Sequence, residues 1–214
     1  MTKPNTKQII ATLHRETILD AAESLFIEKG YLSSSIENLS TASGYSRRTI
    51  YVYFENKEDI YLHIVHRSLK ELHGNIQQAI QSNADFLSQY FAICEAMRFY
   101  AGNHPQSFTS VNQMKTSQFN PDSIPAITKE IFIVGEQINQ TLEAFITSGI
   151  QQGMVRASIL PRQTVYVLWS SLSALLSLIH TKEEHIQVQF GTTTDAFLQY
   201  GYTQIINSIL ENRI

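Results

Sequence analysis

The stretch SGYSRRTIYVYFENKEDIY, Ser43 to Tyr61, sets two arginines directly behind a Gly-Tyr-Ser turn and follows them with Tyr51, Tyr53, Phe54 and Lys57. Ser46 is placed to cap a short helix that opens at Arg47, and Asn56 is placed to cap the next one. Ile50 and Phe54 stand four apart and face a core, while Tyr51 and Tyr53 lie off that face. Upstream, SSIENLSTASG reads as another short helix. Ser34 and Glu37 form a predicted capping box, Ile36, Leu39 and Ala42 point inward, and Gly44 terminates it. Before that, RETILDAAESLFIEKG carries Ile18, Ala22, Leu25 and Phe26 on one stripe and ends at Gly30.

Two short helices joined by Ser43-Gly44-Tyr45 fit a helix-turn-helix. In such a unit the second helix enters the major groove with its N-terminal residues nearest the base edges. Those residues are Arg47 and Arg48, and an arginine fork on guanine is worth about 1–3 kcal/mol of discrimination. Thr49, Tyr51 and Tyr53 bring hydroxyls within reach of phosphates, and Lys57 adds a positive charge in the first turn of the following helix. The competing reading is a solvated basic surface helix packed by its aromatics.

Composition bounds the rest. The chain has 214 residues, of which 43% are hydrophobic and 16% charged, enough apolar material for a sizeable core and unlike a disordered chain. A net charge of −3 argues against a protein that coats nucleic acid over its whole surface, but leaves room for a local basic patch. Lys3, Lys7 and Arg15 form one such group, which could reach a minor groove as an arm, and Arg47, Arg48 and Lys57 form another. The single cysteine, Cys94, rules out an internal disulfide. The N-terminal stretch lacks a signal-peptide core, and no run approaches 18 uninterrupted apolar residues, so the expectation is a cytoplasmic protein with no membrane span.

The segment LSTASGYSRRTIYVYFENKEDIY closely resembles the DNA-binding signature of the TetR family of transcriptional regulators. The matching positions are Leu39, Gly44, Ser46, Thr49, Ile50, Tyr51, Tyr53, Phe54, Lys57, Glu58 and Ile60, with Ser40, Ser43 and Tyr45 departing from it. The resemblance covers about residues 14–70. It implies an all-α fold, with a three-helix DNA-binding domain followed by a larger helical domain for ligand binding and dimerisation. It also implies repression from a palindromic operator, relieved by a small molecule. By position it assigns DNA contacts to Ser35, Arg47, Arg48, Thr49, Tyr51, Tyr53 and Lys57; Ser46 and Tyr45 join them as candidates beside these, Tyr45 either adding a phosphate contact or plugging the turn. The expected division is residues 11–70 for DNA binding and 71–214 for the rest, with about nine helices and no sheet.

Beyond residue 70 only pattern speaks. YVLWSSLSALLSLI carries Val165, Leu168, Trp169, Leu172, Leu175, Leu176 and Ile179 on one stripe with small residues between. With the last helix, through Phe197, Leu198, Gly201, Ile205 and Ile209, it is the expected homodimer surface; the bland reading closes the monomer's own core. Phe86, Tyr90, Cys94, Phe99, Phe108, Phe145 and Trp169 are candidates to line an effector cavity, with Tyr100 and Phe119 beside them. The scarcity of charge in the middle helices favours a neutral or aromatic effector. His63, His66 and His73 lack a closed ligand set and read as a solvated face, so no metal is expected and no cofactor is implied. Cys94 reads as core or pocket wall, with redox sensing the lesser alternative. No catalytic constellation is assignable, so an enzyme has no support. A second reading keeps the fold without the small-molecule switch: a DNA-bound scaffold that acts through a protein partner.

Overall fold

A computed structural model describes residues 6–113 and 124–214. Among them lie nine helices: α1 (Thr6–Lys29), α2 (Ile36–Ser43), α3 (Arg47–Tyr53), α4 (Lys57–Gln81), α5 (Phe86–Asn103), α6 (Pro105–Gln113), α7 (Ala126–Gln151), α8 (Pro161–Phe190) and α9 (Thr194–Asn207). The fold is all-α. The described residues hold no strand, only one isolated bridge between Val155 and Leu210. The chain forms two compact units. One takes in the residues up to Leu69 together with Pro105–Phe132; the other comprises Lys70–His104 and Ile133–Ile214. The chain passes between them within α4, between α5 and α6, and within α7.

The first unit is built on the stripe expected of α1. Ile18, Ala22, Leu25 and Phe26 are buried together with Leu39, Ile50 and Phe54. Gly30 closes α1 at φ 81°, a conformation that costs a glycine nothing. Arg67 of α4 gathers three carboxylates from α1: Nη1 donates to Asp20 at 2.6 Å and to Glu16 at 3.0 Å, and Nη2 to Glu23 at 2.7 Å. Tyr61 of α4 donates to the Gln106 carbonyl at 3.0 Å and is also hydrogen-bonded to Ser110, which fastens α6.

Two details depart from the local pattern. The capping box of α2 is Ser35 with Asn38, one residue later than Ser34 with Glu37. Both frames satisfy the same spacing. Ser34 is taken out of the choice because it is buried and its Oγ donates back to the Gly30 carbonyl at 2.8 Å. The histidines are no solvated face either. His63 and His73 are partly buried, and His73 Nε2 lies 3.0 Å from the Thr141 hydroxyl.

In the second unit Phe86 stacks on Phe145 at 4.5 Å, and Gly149 lets them close: a Cβ there would strike the Phe86 ring and lie 2.7 Å from Val155 Cγ2. Tyr90 donates to the Tyr202 carbonyl at 3.0 Å and joins α5 to α9. α8 starts with Pro161 at its first position, as expected, but runs past His180 through a non-helical Lys182 to Phe190. Eighteen of its residues average a hydropathy of 1.3, so by length and composition alone it could cross a membrane. Its buried residues Val165, Leu168, Leu172 and Leu176 and its Arg162 pairs with Glu136 and Glu143 of α7 are those of a core helix.

Candidate nucleic-acid interface and effector cavity

The α2–turn–α3 segment is set by short-range bonds. Gly44 adopts φ 73°, where a side chain would be strained. Ser40 Oγ donates to the Tyr45 carbonyl and Ser43 Oγ to the Leu39 carbonyl, both at 2.7 Å, so the two serines that depart from the family pattern brace the turn. Ser46 caps α3 by accepting from the Thr49 amide at 3.1 Å, and its hydroxyl meets that of Thr49 at 2.9 Å. With Ile50 buried, α3 turns its other faces outward: Arg48 is exposed, and Tyr51 and Val52 are 54% and 72% exposed. Arg47 is also exposed and donates from Nη1 to Glu37 Oε1 at 2.7 Å. Ser35 sits at the start of α2 with its hydroxyl turned to Asn38.

Three residues had their surroundings decided from a distance. His14 of α1 lies between Tyr45 and Tyr53: its ring is 5.0 Å from that of Tyr45, and its Nδ1 is 3.0 Å from the Tyr53 hydroxyl. Arg15 is drawn inward over the Phe54 ring at 4.8 Å and donates to the Tyr53 carbonyl at 3.3 Å, so it does not extend as part of an arm. Lys57 donates to the carbonyls of Tyr31 and Ser34, each at 2.8 Å. Lys7 lies in α1, and Lys3 falls outside the described residues. Nothing in the sequence near residue 57 or 14 signals these partners, which are 23 to 39 positions away.

The second unit encloses a small cavity of about 30 Å³ between α5, α7 and α8, lined among others by Tyr90, Ile93, Met97, Phe145, Leu168 and Trp169. Of the cavity candidates, Tyr90, Phe145 and Trp169 are on the wall, and Phe86 stands behind Phe145. Cys94 is buried beside Tyr90 and off the wall. Burial pushes its thiol up to about 12, so it stays protonated and unreactive at neutral pH. Tyr90 is likewise raised by burial. Phe99 is 52% exposed and Phe108 belongs to α6 in the other unit, so neither reaches this wall. Tyr100 is buried without lining it, and Phe119 falls outside the described residues. The described residues hold no cluster of three or more His, Cys, Asp or Glu suited to a metal ion.

Residues 18–64 match the model of the tetR family of bacterial regulatory proteins, and this span holds the buried stripe of α1, the braced turn and all of α3. Residues 18–64 are a DNA-binding domain of the tetR family. With it the chain reads as a transcriptional regulator of the helix-turn-helix type. A relative in Bacillus subtilis (strain 168), a fatty acid metabolism regulator protein, is 27% identical over 153 residues, 70% of this chain and 76% of its own length. Among solved structures, the fatty acid degradation regulator FadR of Bacillus halodurans superposes with a TM-score of 0.70 at 16% identity, covering 96% of this chain and 97% of its own. FadR of Bacillus subtilis, solved with stearoyl-CoA, gives 0.69 at 18% identity, covering 91% and 98%. At these identities the superpositions establish the TetR fold.

Proposed function

We propose that this TetR-family regulator is a repressor that binds a palindromic operator as a homodimer and is released by an apolar small molecule. The observation that carries the reading is the pairing of an exposed, capped α3 bearing Arg47, Arg48 and Tyr51 with a separate, wholly apolar cavity in the second unit. The cavity wall holds no charged side chain, which favours an uncharged group, such as a hydrocarbon chain, as the part of the effector that enters it. The fatty acid regulators it is similar to point to an acyl chain, since FadR of Bacillus subtilis was solved with stearoyl-CoA. Thirty cubic ångströms holds about one water, so an effector must part α5, α7 and α8 on entry. A ligand that prefers the parted form shifts the population away from the DNA-binding one, and DNA weakens ligand binding by the same factor. The stripe expected to meet the second copy closes the monomer's own core instead, with Val165, Leu168, Leu172, Leu176, Leu198 and Ile209 buried, so exposed Tyr166, Val167 and Leu178 of α8 and Tyr200 of α9 are the apolar side chains offered to the second copy.

The test uses a duplex selected from random sequence by the protein. Stearoyl-CoA should lower affinity for that duplex about 5- to 150-fold, while CoA alone should not. The same small cavity favours a second reading, a DNA-bound scaffold with a filled core that acts through a protein partner. That reading expects operator binding unchanged by any acyl-CoA. Light scattering and footprinting test the dimer: a monomer that protects one asymmetric half-site contradicts it.

A further inference from the structure

We infer that Glu37 is a positioning residue for base reading, holding Arg47 in the orientation that grips guanine. The inference rests on the DNA-binding reading of α3. The carboxylate stands in the first turn of α2 and accepts from Arg47 Nη1 at 2.7 Å, joining the two helices of the helix-turn-helix on its solvent side. Arg47 and Glu37 are 62% and 63% exposed, and a pair so placed adds little to the fold. The packing of α2 against α3 is already secured beneath it by buried Leu39 and Ile50 and by the braced turn. The pair therefore acts on the outward surface.

A guanidinium carries five donors in a rigid fork. Glu37 engages Nη1 alone, which leaves the Nε–Nη2 edge of Arg47 without a partner among the described residues. That edge matches the O6 and N7 acceptors of guanine. An exposed arginine ordinarily loses much rotamer freedom on docking; one already held in place loses less. The carboxylate also needs Arg47, since a bare negative charge facing phosphates is repelled. Arg48, turned about 100° around the helix from Arg47, has no partner among the described residues and stays free to adjust. The neighbouring arginines thus differ in kind: one is preset and the other is mobile in its rotamers.

The experiment measures binding to a duplex selected from random sequence by the wild-type protein, to copies with single guanines replaced by 7-deazaguanine, and to an unselected duplex. Removing one N7 per half-site should weaken the wild type on the order of 10-fold. Arg47→Ala should lose that penalty. Glu37→Gln should lose much of it while binding the unselected duplex as well as or better than the wild type, because a negative charge is gone. In Arg47→Ala the further change Glu37→Gln should leave the penalty unaltered. A Glu37→Gln protein that keeps the full penalty, or that gains equally on both duplexes, overturns the inference and marks the carboxylate as simply repulsive. A wild type that binds selected and unselected duplexes alike overturns the DNA reading itself.

Discussion

The Lys57 ammonium sits 4.4 Å over the Tyr31 ring and donates at 2.8 Å to the carbonyls of Tyr31 and Ser34. It clips the start of α4 to the loop after α1, and two of its three N–H groups are spent before DNA arrives. Lys57→Met leaves two carbonyls without their donor and should destabilise the free protein by about 2 kcal/mol. A purely phosphate-binding lysine would leave the melting temperature in DNA-free buffer unchanged. The slope of log affinity against log salt should fall by no more than about one unit.

His63 makes the DNA-binding unit sensitive to acid. Burial, then the Arg15 guanidinium, holds its imidazole near pH 4 instead of 6.5. Arg15 Nη2 lies 2.6 Å from Nε2 and 2.9 Å from Nδ1, and a ring nitrogen accepts from that guanidinium only when the ring is neutral. Between about 4 and 6.5 the unfolded chain takes up a proton that the folded one refuses, so stability rises with pH across that window. It is complete above about 6.5 and is lost as pH falls towards 4. Thermal melts of the wild type and His63→Gln from pH 7 to 4 check this; superimposable pH profiles would refute it.

Gly149 is required by close approach, since its φ is ordinary. An added Cβ would press on the Phe86 ring, which cannot retreat because it is stacked on Phe145 at 4.5 Å. Gly149→Ala should cost about 1–3 kcal/mol despite its better helix propensity. Gly201→Ala meets the end of the Leu175 side chain, with Cδ2 at 2.6 Å, which can rotate away, and should cost less. Denaturant melts of the two variants give the order.

Filling the cavity separates effector response from DNA binding. Val165 lines it from α8. Val165→Phe should abolish the response to stearoyl-CoA while operator affinity in its absence changes less than about threefold, at a stability cost of about 1–3 kcal/mol. An unchanged acyl-CoA response would place the effector elsewhere.

Caps, helix stripes and the turn were readable in the sequence because they depend on neighbours three or four residues away. Ser46 and Asn56 cap α3 and α4 as expected, Gly30 and Gly44 take positive φ, and Ile50 and Phe54 are buried. Where two local solutions were equally good, distance decided: Ser34 and Ser35 both fit a capping box, and the bond from Ser34 to Gly30 left the role to Ser35. Side-chain tasks were the least legible. The charges of Arg15, Lys57 and Arg47 are plain in one dimension, but their partners Phe54, Tyr31 and Glu37 come from other elements. The aromatics of the second unit show the same limit. Tyr90, Phe145 and Trp169 share a wall while Phe99 points to solvent, because helical spacing says which residues share a face and only packing says what that face meets.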